Sequence, residues 1–471
     1  MPEDLSAPLG SSATVQRILE PRSVAVIGAS DDLRKPGARV LRNIVAHGFA
    51  GEVFPVSLHA AVVQGLPAHA AVEELPTVPD LVVISVPIAQ ALEVFQDCAR
   101  LGVSTVVMLS ALDVGAREQR EAVSRLCEEF PGTRLLGPSS LGVHGAHARF
   151  AGSFMTAIDG DFRFAPSGVF IISQSGGVGA YLLSTAHAAG LPVGGFISTG
   201  IEADLTLAEI LRDVIDRYTP SLVCIYLEGA RDEGELVSAL EHARTRGAPV
   251  LLLRAGVTVV GRAVAERHSG LPSLAEEVWN ECIDPVGGLG VESMEEMIDV
   301  GRAIVASTAL SGERVSIVSA SGGAGVLMAD AAVRCGFVLA EWNAEEKAAL
   351  ADFLPAHATV ENPIDATGAI FSPLRTLGRV LGACMAHPGT DVTILTLGNM
   401  PHVDERLFHE IATAARTRQG ALVAVWAGGS SDAIRRLAEG GVLAFSDPVR
   451  CARALRRARD HPAGVLRRPA P

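Results

Sequence analysis

Two stretches of this chain carry nearly the same text. Residues 169–179 read VFIISQSGGVG, and residues 315–325 read VSIVSASGGAG. Each is an apolar strand-like run, a serine-rich tight turn, then two glycines that open a helix. The helices that follow end alike, at Gly190-Leu191 and Gly336-Phe337, so the spacing between the copies never changes. A repeat separated by about one domain length marks two copies of one α/β unit. It also constrains chemistry. A glycine-rich helix N-terminus presents backbone N–H groups and the positive end of the helix dipole, a ready anion site. Two such turns can hold one anion from both sides.

The length of 471 residues predicts roughly three domains at about 150 residues each. With 48% apolar and 20% charged residues, the chain reads as well-cored and globular. A net charge of −14, without basic helix faces or aromatic–basic interleaving, argues against nucleic acid as a partner. The basic stretch from Arg456-Arg457 to Arg467-Arg468 reads as a solvated helix running into a flexible tail at 461–471. Seven cysteines show no C-x-x-C spacing and sit within apolar segments, which predicts a reducing compartment, no disulfides and no metal site. The first residues, MPEDLSAP, lack the features of a signal peptide. No apolar run approaches the roughly 18 residues of a membrane span. A cytoplasmic protein without a membrane partner is the expectation.

The first segment alternates strand-like and helical patterns. Strands are expected at 24–27, 53–56, 81–86, 105–109 and 134–136, with helices at 38–47, 88–101 and 116–129. This alternation predicts a doubly wound parallel sheet. A second α/β unit begins at Gly168, with strands at 169–172, 193–197, 222–227 and 250–254 and helices at 205–218 and 233–245. A third begins at Val315, with strands at 315–318, 393–397, 421–426 and 442–445. The expected domains are therefore 15–147, 165–308 and 313–460. The fold class is α/β, a Rossmann-like domain followed by two flavodoxin-like doubly wound domains.

The segment Val24-Ala-Val-Ile-Gly28-Ala29-Ser30 runs a strand into a glycine turn, yet G-x-G-x-x-G is absent. The second strand is followed by Ser57 rather than by an acid for a ribose hydroxyl, which disfavours a nicotinamide enzyme. A phosphate-bearing ligand near the helix that opens at Gly37 and a purely structural turn both remain open. In the repeated turns, Gly176, Gly177, Gly322 and Gly323 let N–H groups converge, and Ser175 and Ser321 stand at cap positions. The nucleophile elbow, the P-loop and H-E-x-x-H are missing, so the chain is not expected to grip ATP unaided. His268, in GRAVAERHSG, is read as a loop residue beyond a parallel strand, where imidazole can attack phosphorus. Glu228, in YLEG, ends another strand, where a carboxylate can fix an imidazole tautomer. A surface histidine and a loop-capping acid are the competing readings.

Taken together, these segments resemble the NDP-forming acyl-CoA synthetases, relatives of succinyl-CoA synthetase. The resemblance rests on VAVIGAS, ISQSGG, YLEG, RHSG, VSASGGAGVLMAD and Asn362-Pro-Ile-Asp365, in family order over residues 15–460. It implies that His268 becomes phosphorylated, Glu228 orients it, and the turns at Ser175 and Ser321 stabilise the phosphohistidine. It implies coenzyme A near Gly28, Ala29, Ser30, Gly37, Ser57, Val86 and Pro87. The implied reaction joins a small carboxylic acid to CoA with ATP or another NTP, through an acyl phosphate. Nothing in the chain resembles the family's ATP-grasp domain. The resemblance thus implies an α-type subunit in a hetero-oligomer, with NTP and Mg on a separate ATP-grasp β-type subunit. A CoA- or acyl-CoA-binding regulatory protein, or a ligase using another nucleophile, are the alternatives. The chain departs from the family pattern at Ser139-Ser140, where Asn-Cys is usual, and at Ile201, where Asn is usual. It also departs at Ser57, at Ser110-Ala-Leu-Asp113 and at Arg254.

Overall fold

Strands β1 (Ser23–Ile27), β3 (Leu81–Ile84) and β4 (Thr105–Met108) are buried along their whole lengths. Runs such as SVAVI and LVVI suit a sheet covered on both faces, where no polar alternation is needed. With β2 (Glu52–Val56) and β5 (Arg134–Leu136) they form one parallel sheet of order 2-1-3-4-5. Helices α1 (Ser12–Leu19), α2 (Pro36–Ala46), α3 (Ile88–Arg100) and α4 (Arg117–Glu129) accompany it. The computed structural model describes residues 12–113, 117–159, 162, 166–283, 288–306, 312–371, 374–398, 405–417 and 420–461.

The second sheet is built on β8 (Val169–Ser173), β9 (Gly195–Ser198), β10 (Leu222–Leu227), β11 (Val250–Arg254) and β12 (Gly288–Val291). These five are parallel, and β8 lies between β9 and β10. A hairpin, β6 (Gly142–Gly145) and β7 (Phe150–Ser153), adds antiparallel strands at the β9 edge. The boundary expected at residue 147 falls inside this hairpin. Helices α5 (Gly176–Ala188), α6 (Leu207–Tyr218), α7 (Glu233–Thr245) and α8 (Val259–Ser269) complete the pattern. Residues through Ser184 together with Pro192–Glu292 make one compact unit. One apolar core runs through it: Ile18 and Leu19 of α1 join Val24 and Val26 of the first sheet to Phe170, Ile172 and Ile225 of the second.

Thr185–Leu191 and the chain from Ser293 onward make the other unit. Its sheet contains β13 (Arg314–Ser319), β14 (Val338–Leu339), β15 (Ile364–Asp365), β16 (Val392–Leu397), β17 (Ala421–Trp426) and β18 (Leu443–Phe445). All its pairings are parallel, in the order β14-β13-β16-β17-β18, with β15 also on β13. Helices α9 (Met294–Ala306), α10 (Gly322–Arg334), α11 (Ala344–Ala351), α12 (Arg375–Ala386), α13 (Glu405–Thr417), α14 (Ser431–Glu439) and α15 (Pro448–Asp460) flank it. With the hairpin and the short β15 left out, all three sheets repeat the 2-1-3-4-5 order, whose switch point lies beside the first strand. The fold class is the expected one.

Several details differ from the sequence expectation. Strand β3 stops at Ile84 because Pro87 caps α3 and lacks the N–H that a strand would need. The basic helix α15 is not simply solvated. Arg450 pairs with Asp299 at 2.6 Å, Arg457 with Glu296 at 3.4 Å and Arg459 with Glu313 at 3.3 Å. The tail beyond His461, including Arg467 and Arg468, lies outside the described residues. No described helix is long and apolar enough to cross a membrane.

Candidate functional site

His268 is the last residue but one of α8, so the loop expectation is corrected. The helix is defined by its ends: Thr258 accepts from the Gly261 N–H, and Gly270 adopts the left-handed conformation as C-cap. Only Ala265 and Ser269 are buried, while Val259, Val260 and Val264 are exposed. Such a narrow buried stripe leaves little helical periodicity for a sequence to show. The C-terminal end is fastened by Arg120, whose guanidinium donates to the Ser269 carbonyl at 2.7 Å.

Glu228 follows the last residue of β10 and is 6% exposed, whereas the His268 side chain is 68% exposed. The Glu228 carboxylate lies 3.0 Å from His268 Nδ1. A carboxylate accepts from a ring N–H, so in the neutral imidazole this contact puts the hydrogen on Nδ1 and leaves the lone pair on Nε2. Beside them, the Tyr226 phenol is pushed up to about 12, by burial first and then by the Glu228 charge. It remains protonated at neutral pH.

The two repeated turns share one closing bond. Ser173 Oγ donates to the Ser175 carbonyl at 2.6 Å, and Ser319 Oγ donates to the Ser321 carbonyl at 2.5 Å. The first serine of each S-x-S therefore holds its turn closed. Ser175 Oγ accepts weakly from the Val178 N–H at 3.4 Å, and Ser321 is the N-cap of α10 without a side-chain capping bond. The glycines divide in the same way in both copies. A methyl at Gly179 would meet Ser173 and Phe196, and one at Gly325 would press on Ser319 and Pro363. A methyl at Gly177 or Gly323 would meet nothing within 4 Å. One glycine lets the helix touch its strand, and the other leaves the turn open. In the second copy, Asp365 stands over the turn: a methyl on Gly322 would lie 2.9 Å from its carboxylate. Asn362 fixes this neighbourhood by bonding the backbone of Val315, Ile317 and Ala340.

At the first sheet, Gly28, Ala29 and Ser30 follow β1, Ser57 follows β2, and Val86-Pro87 follows β3. All lie at one carboxyl edge. The N–H groups of Gly28 and Ala29 both donate to the Val56 carbonyl at 3.1 Å. Gly28 has φ +84°, and a methyl there would strike the Ser85 carbonyl at 2.6 Å. Gly37 is in the first turn of α2, where a methyl would lie 2.3 Å from the Gly28 carbonyl. The two glycines thus press the start of α2 against the β1 turn.

Three of the departures from the family pattern, at Ser110–Asp113, Ser139-Ser140 and Ile201, meet in space: the Leu112 N–H donates to Ser139 Oγ at 3.2 Å. Ile201 and Ala203 donate from their backbone to the carbonyls of Pro138 and Gly137 at 3.0 Å each. Ser140 Oγ donates to the Ser198 carbonyl at 2.6 Å and accepts from the Gly142 N–H at 3.0 Å, so its hydroxyl is built into the fold. Ile201 lines a cavity of about 220 Å³ with Leu112, Arg120, Arg231 and Leu271. Arg254 turns back into its own unit, pairing with Glu276 at 2.6 Å and stacking over Trp279.

Sequence reasoning missed Gln174, between the two serines of the first turn. Its amide accepts from the Glu228 N–H at 2.6 Å and donates to Glu202 at 2.8 Å. A signal was present: the other copy has Ala320 in this place.

Known proteins resemble this chain along most of its length. Residues 22–146 match the CoA binding domain family, 166–304 the succinyl-CoA ligase like flavodoxin domain, and 315–455 the ligase-CoA domain. The chain is 33% identical to the α subunit of acetate–CoA ligase (ADP-forming) II of Pyrococcus furiosus, over 73% of this chain and 74% of that protein. It is 27% identical to the α subunit of isoenzyme I from the same organism, over 94% and 96%. A solved structure of dinucleotide-forming acetyl-coenzyme A synthetase 1 from Ca. Korarchaeum cryptofilum, in complex with phosphate and ADP, superposes with a TM-score of 0.82. It is 26% identical, covering 96% of this chain and 97% of that one.

Proposed function

Because the chain belongs to the family of NDP-forming acyl-CoA synthetase α subunits, we propose that it makes acyl-CoA through a phosphohistidine at His268. The observation that carries this is the 3.0 Å contact from Glu228 to His268 Nδ1, on a ring whose other nitrogen is available for attack. In the thioester-forming direction, phosphohistidine gives its phosphoryl group to a carboxylate oxygen, and the P–N bond breaks. The CoA thiolate then attacks the acyl phosphate carbonyl, and phosphate leaves. The proton on Nδ1 is held by Glu228 throughout, which stabilises the cationic ring that forms when Nε2 bonds to phosphorus.

The phosphoryl group carries about two negative charges. The N-terminus of α5 supplies roughly half a positive charge. Ser175, Gly176 and Gly177 are assigned to receive phosphoryl oxygens there. Ser321, Gly322 and Gly323 are assigned the same task on their own unit. Coenzyme A is assigned to the carboxyl edge of the first sheet, with Gly28–Ser30, Gly37, Ser57 and Val86-Pro87 around it. The nucleotide and its Mg belong, in this reading, to a separate ATP-grasp subunit. The name "subunit alpha" borne by both relatives supports a two-chain enzyme. Acetate is the first acid to try for the same reason.

The test is thioester formation from acetate or another small acid, CoA and ATP, with the ATP-grasp protein added. His268→Asn is expected to abolish product while calorimetric CoA binding persists. Turnover by that variant at the wild-type rate would remove the assignment.

A further inference from the structure

The Gln174 amide uses all its hydrogen-bonding positions. Oε1 accepts from the N–H groups of Glu228 at 2.6 Å and Gly229 at 3.2 Å. Nε2 donates to the Gly229 carbonyl and to Glu202 Oε1, each at 2.8 Å. Reversing the amide would set its NH₂ against two donors and its oxygen against two acceptors. Only one orientation fits.

Glu202 is fixed as firmly. It is 2% exposed, and its Oε1 also accepts from Thr199 Oγ1 at 2.9 Å. The Leu207 N–H points to the same carboxylate. Its backbone is left-handed, at φ 55°, a conformation disfavoured for a residue with a Cβ. A buried acid held in disfavoured backbone needs a reason. The same Ser–Ser closure forms in the other unit with Ala320 and no amide, so the turn itself does not require Gln174.

We propose that Gln174 and Glu202 are positioning residues for the phosphoryl-accepting pair. Glu202 fixes the Gln174 amide, the amide fixes the backbone at 228–229, and that backbone aims the Glu228 carboxylate at His268 Nδ1. Gln174 also precedes Ser175, so one side chain ties the anion-binding turn to the acid that orients the histidine. The inference rests on the phosphohistidine reading above, and its test separates the two.

The full-length chain is incubated with ³²P-labelled acetyl phosphate, from which Nε2 takes the phosphoryl group as acetate leaves. Initial labelling rates are followed against pH for Gln174→Met, Glu202→Gln, Glu228→Gln and the pairwise combinations. Gln174→Met is expected to slow labelling by about tenfold, as loss of an outer partner of a histidine commonly does. It is expected to move the pH profile in the same direction as Glu228→Gln. Because Gln174 acts through Glu228, the double variant is expected to be no slower than Glu228→Gln alone within about twofold. A wild-type rate and profile for Gln174→Met, or effects that multiply in the double variant, would overturn the relay. Near-UV circular dichroism checks the fold, and Glu202→Gln with its own double variant carries the test if Gln174→Met does not fold. Undiminished labelling of His268→Asn would instead sink the phosphohistidine reading itself.

Discussion

His144 is wholly enclosed, against the ring of Phe162 at 5.1 Å. Burial, with a smaller contribution from His47, holds its imidazole down to about 3. The unfolded chain takes up this proton near pH 6.5, the fold only near 3. Between those values the unfolded state binds the extra proton, so stability falls as the pH falls, by at most about 1.4 kcal/mol per pH unit from this group. Urea midpoints measured from pH 7 to 4 should therefore decline, and His144→Phe should flatten the decline. An unchanged slope in the variant would refute the assignment. Single residues were unevenly legible in the sequence. Glu228 could be named because it follows a recognisable strand, and His268 from its RHSG segment, although it ends a helix rather than a loop after a strand. Gln174 and Glu202 could not, because their roles depend on which loops meet. A buried acid in a polar loop looks like a solvated one until its donors are known.

At the scale of elements, glycines decide what each turn can do. Gly177→Ala and Gly323→Ala place a methyl in open space, and alanine favours a helix over glycine by roughly 0.8–1 kcal/mol. Both variants should melt no lower than wild type, yet slow phosphohistidine formation if, as proposed, the phosphoryl group uses that open space. Gly176→Ala should instead lower the melting temperature, since its methyl would lie 2.7 Å from the Leu141 side chain. Differential scanning calorimetry beside the labelling assay separates these outcomes. Helix α6 offers a control away from the site. Its C-cap, Thr219, is a β-branched residue at φ 42°, exposed and left-handed. Thr219→Gly should stabilise the chain by about 1 kcal/mol, read as a higher denaturation midpoint. The strands named from the sequence were legible to within a residue or two because most are buried apolar runs, whereas the short strands at 288–291, 338–339 and 364–365 carry too few apolar residues to stand out. Helix α8 was not legible, because its exposed valines conceal its period and only its caps define it.

Over the whole chain, the alternation of strands and helices predicted parallel doubly wound sheets, and all three share one strand order. What the pattern did not show is the hairpin at 142–153, whose strands add to the second sheet at an edge beyond its parallel part. Local alternation specifies strands but not their partners. One consequence is testable: a fragment ending at residue 147 would split this hairpin and expose Ile18 and Leu19, which the second sheet helps to cover. That fragment should bind a hydrophobic dye and lack a cooperative melt. A sharp melt would show that the first sheet stands alone. The central claim concerns one atom, Nε2 of His268, left available by the contact between Nδ1 and Glu228. Its most direct test is ³¹P NMR of the phosphorylated chain, with mass-spectrometric mapping of the site. An acid-labile phosphoryl group on Nε2 of residue 268 is the predicted result. Phosphate on Nδ1, or on any other residue, would contradict it.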